Sequence, residues 1–213
     1  MDFFTQEQIF IICIISLSAV AFVKYRNFGY IKNIFSASIN YNSAQLIQKS
    51  DISNKTLTNF LLSLNFFLAA TVFLISILGK FNFLPLDINR FVIFAGIIIG
   101  IILLIYLNSV INYFSAYIFN LKDIAKDYDK NNQFLFHSMG IILLFINILI
   151  SFTSIKETAL YTGIIICVIS YLLRILRFIK INLSKHINSF FMFLYLCTVE
   201  ILPLLYFYKI LTL

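Results

Sequence analysis

Within "FLYLCTVEILPLLYFYK", Phe193 to Lys209, one carboxyl group, Glu200, stands among apolar residues, with Pro203 three positions on. An unpaired carboxylate in lipid costs at least a few kcal/mol. The cheaper state is the neutral acid, its pKa raised by desolvation. Such a group can donate a hydrogen bond, or it can take up and release protons. Pro203 has no N–H, so it frees the carbonyl of Val199, directly before Glu200. The bend expected there presents a small polar patch to neighbouring helices. Two readings stand side by side: a kink tied down by an interhelical hydrogen bond, and a proton-linked transport site.

Other polar residues fall inside apolar runs. Asn147 and Thr71 each lie 13 residues past the start of their runs, as Glu200 does of its own, so they match its depth and are its expected partners. Arg174, in "ISYLLRILRFIKINLSKH", lies near the end of another run. Its height differs from that of Glu200 by roughly 10 Å or more. Its stem is long enough to snorkel to the surface. The alternative is a bond to Asn108, Asn112 or His137, which share its half of the membrane. "GIIIG", Gly96 to Gly100, has the small-xxx-small spacing that lets helices approach closely, and is read as helix packing.

No catalytic set emerges. His137 and His186 are the histidines, and neither belongs to an H-E-x-x-H pattern. No Gly-rich phosphate loop or serine-nucleophile signature occurs. Asp123, Asp127 and Asp129 alternate with lysines in "KDIAKDYDK", which suits a solvated continuation of a helix. Cys13, Cys167 and Cys197 are far apart, each in an apolar segment, and read as small buried hydrophobes. The expectation is a chain without enzyme activity, cofactor or metal.

The elements that must position these groups follow from composition. Of 213 residues, 61% are hydrophobic and 12% charged, too apolar a balance for a soluble domain to cover itself. The solvent expected is lipid. Apolar runs near 7–23, 58–79, 91–113, 134–153, 158–178 and 187–211 predict an all-α polytopic protein with six transmembrane helices, one integral membrane domain over 1–213. The third run has the character to continue as a helix into "NYFSAYIFNL", while "GKFNFLPLDINR" and "LKDIAKDYDKNNQ" read as linkers. The start, "MDFFTQEQIF", has no basic region, so the first run is expected to remain as a span.

The net charge of +7 would suggest nucleic acid in a soluble protein, but no run of five Lys and Arg occurs, and no nucleic-acid partner is expected. The charge is explained by topology. Lys24, Arg26, Lys32, Lys49, Lys55, Lys122, Lys126, Lys130, Arg174, Arg177, Lys180 and Lys185 fall on one side, against Lys80, Arg90, Lys156 and Lys209 on the other. The excess belongs in the cytoplasm, which sets both termini outside, in the periplasm. The first cytoplasmic loop, 24–57, carries Tyr30, Ile31, Ile34 and Phe35 at spacings of three and four. This spacing suits an amphipathic helix in the membrane interface, or a loop with buried anchors.

The final segment, "NSFFMFLYLCTVEILPLLYFYK", resembles the C-terminal signature of an uncharacterised membrane-protein family of Bacteroidota, the domain of unknown function 4271 family. Tyr195, Leu196, Cys197, Glu200, Ile201, Leu202, Pro203 and Lys209 carry the resemblance. It extends over most of the chain through the multi-span layout and the long first loop. It implies an inner-membrane protein of a Gram-negative cell and supplies no activity. The function expected is a non-enzymatic scaffold or accessory subunit, with a protein partner bound through the membrane helices or the first loop. The alternative is a small transporter or proton-coupled channel using Glu200. An intramembrane enzyme acting on a lipid-linked substrate has least support.

Overall fold

In lipid, backbone N–H and C=O groups must be satisfied within their own segment, so long apolar runs become helices. The computed structural model of the chain describes residues 6–40, 43, 44, 47, 56–81, 89–118 and 122–184. Among them are six helices: α1 (Gln6–Arg26), α2 (Tyr30–Ile39), α3 (Thr56–Lys80), α4 (Arg90–Ile118), α5 (Lys122–Phe152) and α6 (Lys156–Ser184). Four stretches, Glu7–Arg26, Thr56–Lys80, Arg90–Phe114 and Lys126–Phe152, are long and apolar enough to cross a membrane. They cover the expected spans at 7–23, 58–79, 91–113 and 134–153. The helix α6, 29 residues long, covers the run expected at 158–178. The span expected at 187–211 lies outside the described residues, with Glu200 and Pro203.

Exposure is inverted relative to a soluble fold. Asn65, His137 and Asn147 are 0%, 1% and 2% exposed, while Phe91, Leu104 and Phe114 are 66–70% exposed. Water would penalise that much contiguous apolar surface. Lipid does not, and it drives polar side chains inward to find partners. Many hydroxyls also satisfy themselves on the preceding turn. Thr71 donates to the Phe67 carbonyl at 2.7 Å and Ser76 to that of Val72 at 2.9 Å. This back-bonding makes Ser and Thr cheap in an apolar helix.

The central element is α5, which touches each of the other five described helices. One apolar cluster, with Val23, Tyr30, Ile34, Leu62, Phe134 and Ile141, lies toward its start. The other, with Cys13, Ala69, Phe73, Met139 and Leu143, lies further along. Neighbouring ends alternate. Lys80 at the end of α3 meets Glu157 at the start of α6, Nζ to Oε1 2.9 Å. Phe10 near the start of α1 sits edge-on to Phe152 at the end of α5, centroids 5.9 Å apart. At the opposite end of the bundle, α2 meets the early part of α5 and the late part of α6.

Two expectations are revised. The stretch from Lys122 to Gln133, placed in a linker, is helical, in keeping with the helix continuation read for "KDIAKDYDK": α5 begins at Lys122, well before 134. Lys126 with Asp129, and Asp127 with Lys130, stand at the i, i+3 spacing that supports a helix. Tyr128 and Asn131, 3% and 1% exposed, anchor this polar turn against the bundle. The second revision concerns the first loop. It does contain a helix, α2, but Tyr30, Ile34, Ala37 and Ser38 face the protein interior. Burying Ile34 completely is worth about 1.5–3 kcal/mol against exposure to water. Phe28 and Ile39, 85% and 80% exposed, are among the large apolar groups that the described part of this segment turns outward.

Candidate functional site

Polar side chains line the inner faces of α1, α3 and α5. Ser16 donates to Asn65 Oδ1, linking α1 to α3. The Tyr30 hydroxyl donates to Asn59 Oδ1 at 2.7 Å, and Ser63 Oγ lies 3.1 Å from His137 Nε2. Ser38 meets Ser138 Oγ at 2.8 Å and the Phe134 carbonyl at 3.1 Å. Farther along, Asn147 Nδ2 donates to the Ala69 carbonyl at 2.8 Å. Each such bond is worth about 0.5–1.5 kcal/mol, and in a lipid-facing bundle it selects one helix register over others. Buried atoms remain unpaired along this seam: Asn65 Nδ2, His137 Nδ1 and Asn147 Oδ1.

A second polar group fastens α4. Arg174 donates from Nη2 to Asn108 Oδ1 at 2.8 Å and from Nε to the Tyr128 hydroxyl at 3.1 Å. Asn112 Nδ2 donates to the same Asn108 oxygen at 3.1 Å. Ser109 donates to Asp129 Oδ2, also at 3.1 Å. The Arg174 guanidinium lies 5.9 Å from the centre of the Tyr128 ring, which stands edge-on to Phe178. Arg174 is therefore a fork between helices and not a side chain snorkelling alone. In α4 the buried side chains among the described residues are Asn112 and Ala116. The other described side chains of this helix are mostly apolar and are exposed or half-exposed, so the polar clasp fixes one part of it.

The sequence candidates are sorted by this geometry. Arg174, Asn108 and Asn112 come together. His137 does not join them; it meets Ser63 on α3. Asn147 is buried at an interhelical contact, while Glu200 and Pro203 lie outside the described residues. Gly96 and Gly100 do not pack within the described chain: a Cβ added at either meets nothing within 4 Å. The close approaches are at other glycines. A Cβ at Gly140 would lie 2.7 Å from Phe66 Cα, and one at Gly163 would lie 2.4 Å from the Phe73 ring. Gly140 has Phe136 and Leu144 four positions away, so spacing alone passes over it, while Gly163 follows Ala159 at small-xxx-small spacing, a pair without the two glycines that single out 96 and 100.

Sequence reading also passes over Arg177, which is 6% exposed. It donates from Nη2 to the Ala37 carbonyl in the last turn of α2, and its Nη1 has no partner. Its signal is register: residues 174, 177, 178 and 181 share one face of α6. Among the described residues no three His, Cys, Asp or Glu side chains converge in a way that could hold a metal ion. An apolar cleft of about 180 Å³ between α1 and α5 is lined by Phe10, Cys13, Ile14, Leu17, Ile148 and Phe152.

A family model with the description "Domain of unknown function (DUF4271)" matches residues 9–211, nearly the whole chain. No curated protein and no solved structure matches.

Proposed function

We propose that this chain, which belongs to the domain of unknown function family DUF4271, is a non-enzymatic scaffold or accessory subunit of a membrane complex. Its docking element is the outward face of α4. The observation that carries this reading is the open space, among the described residues, at Gly96 and Gly100. Glycine in a helix interior costs roughly 0.5–1 kcal/mol relative to alanine. At Gly140 and Gly163 close contacts account for that cost. At Gly96 and Gly100 a partner helix lying across the stripe would account for it. In this reading the chain crosses the cytoplasmic (inner) membrane of a Gram-negative, Bacteroidota-type cell six times, with both termini outside. The excess of Lys and Arg on one side supports that orientation. The bilayer surrounds the helices, and the first loop, through α2, is the other surface offered to a protein partner.

The test is purification in mild detergent followed by identification of co-purifying chains. Gly96→Leu with Gly100→Leu should leave the protein folded and release the partner. A partner retained at the wild-type level would reject α4 as the docking face.

A second reading, a small transporter or proton-coupled channel, is favoured by one observation. Asn147 Oδ1 is a buried acceptor with no donor, on the helix expected to match Glu200 in depth. Glu200→Gln and Glu200→Leu separate the two readings when membrane abundance and complementation of a deletion strain are measured together. Abundant but inactive Gln protein would promote transport. Active Gln protein with depleted Leu protein fits a structural carboxyl. Fully active Leu protein would remove Glu200 from both accounts.

A further inference from the structure

Arg177 carries a full charge, is 6% exposed, and has a carbonyl as its acceptor. The Ala37 carbonyl lies in the last turn of α2, where the helix dipole places partial negative charge. That compensates the guanidinium in part, but it leaves Nη1 buried with no partner. Buried charges are ordinarily paired, because desolvation costs several kcal/mol per ion. One turn earlier on the same face stands Arg174, a second guanidinium, committed to Asn108 and Tyr128. Lys180, exposed, follows one turn later. Asp129 on α5 accepts from Ser109 on α4 and lies within Coulombic reach of Arg174, one turn from Arg177. Positive charge thus gathers where α2, α5 and α6 meet, at the end of the bundle that holds the basic loops.

We propose that this junction binds a net-anionic phosphate group, with Arg177 as its principal donor and Lys180 at its rim. The guanidinium fork suits two phosphate oxygens better than a point charge does. Basic pockets between helices at the cytoplasmic face are the places where anionic headgroups settle. The same chemistry is supplied by a phospholipid of the adjoining leaflet or by free phosphate. The site is separate from the α4 docking face and stands or falls without it.

The experiment is thermal unfolding of the full chain in detergent, with three additions: dioleoylphosphatidylglycerol, dioleoylphosphatidylcholine and inorganic phosphate. A saturating ligand should raise Tm by roughly 5 °C. A rise with phosphatidylglycerol that phosphatidylcholine does not match, and that R177Q abolishes, establishes a lipid headgroup site. A rise with inorganic phosphate, lost in R177Q, establishes the same site with a soluble ligand. No rise with either anion, or one undiminished in R177Q, overturns the proposal. Should R177Q fail to fold, R177K decides: it keeps the charge without the fork. A clearly smaller rise is then expected, and an unchanged one overturns the assignment.

Discussion

Arg174 shows how one side chain's role turns on its partners. If it only snorkelled, lysine would replace it at little cost, since both have a long stem and a charge. Its Nε and Nη2 instead serve Tyr128 and Asn108 on two other helices. A single ammonium cannot reproduce that fork. Arg174→Lys should therefore destabilise the protein by about 1–2 kcal/mol, read as a fall in Tm; an unchanged Tm would return Arg174 to the surface. Tyr30 offers a pH test. Burial pushes its hydroxyl up to about 12, from an ordinary value of 10.0. Between these values the unfolded chain has lost the proton and the folded one keeps it. The unfolded state then binds fewer protons, so stability should fall as pH rises through this window. Unfolding measured from pH 9 to 12 should show a fall that Tyr30→Phe reduces. Equal falls in the two proteins would count against a buried Tyr30 hydroxyl.

At the scale of elements, the glycines divide into two kinds. The helices α3 and α5 meet so closely that a Cβ at Gly140 strikes backbone, Phe66 Cα at 2.7 Å. Backbone cannot rotate away as a side-chain end can, so Gly140→Ala should cost about 1–3 kcal/mol. Gly100→Ala meets open space and gains helix propensity, so it should be neutral or stabilising by up to roughly 1 kcal/mol. Comparing the two variants in thermal unfolding checks the division; equal losses would mean that Gly100 is packed after all. The spacing of Gly96 and Gly100 identified a close-approach motif, but not whether this chain uses it. The converse holds for Gly140 and Gly163, whose neighbours come from distant parts of the chain. The same limit applied to "KDIAKDYDKNNQ". Its charge alternation suits a solvated helix set between two spans; that Tyr128 and Asn131 turn inward and support another three turns of α5 is seen only in the structure.

For the whole molecule, alternating helix ends agree with the charge asymmetry, and orientation is open to a direct check. In a chain without its native cysteines, Tyr25→Cys and Lys130→Cys should resist an impermeant thiol reagent in intact cells. Ile155→Cys should react once the outer barrier is opened. Tyr25 and Ile155 are 92% and 60% exposed and Lys130 is exposed, so burial does not confound the readout. Labelling of Lys130→Cys from outside would invert the topology. The sequence by itself determined that the described chain is helical and built for lipid, and where five of its apolar runs lie, though α5 begins at Lys122, well before the run expected from 134; it also determined which loops carry the positive charge. These properties are local: they depend on run length, on backbone groups satisfied within a segment, and on counts of Lys and Arg. It also set Asn108 and Asn112 beside Arg174 as candidates, because depth along a helix can be counted. The tertiary structure decided the rest: that His137 meets Ser63, that Arg177 reaches the end of α2, and that α4 is clasped toward one end with its glycine stripe open among the described residues. Those outcomes depend on which faces of separate helices meet. Apolar surface is favourable against lipid on every side, so hydropathy does not choose among faces; interhelical hydrogen bonds and close backbone contacts do.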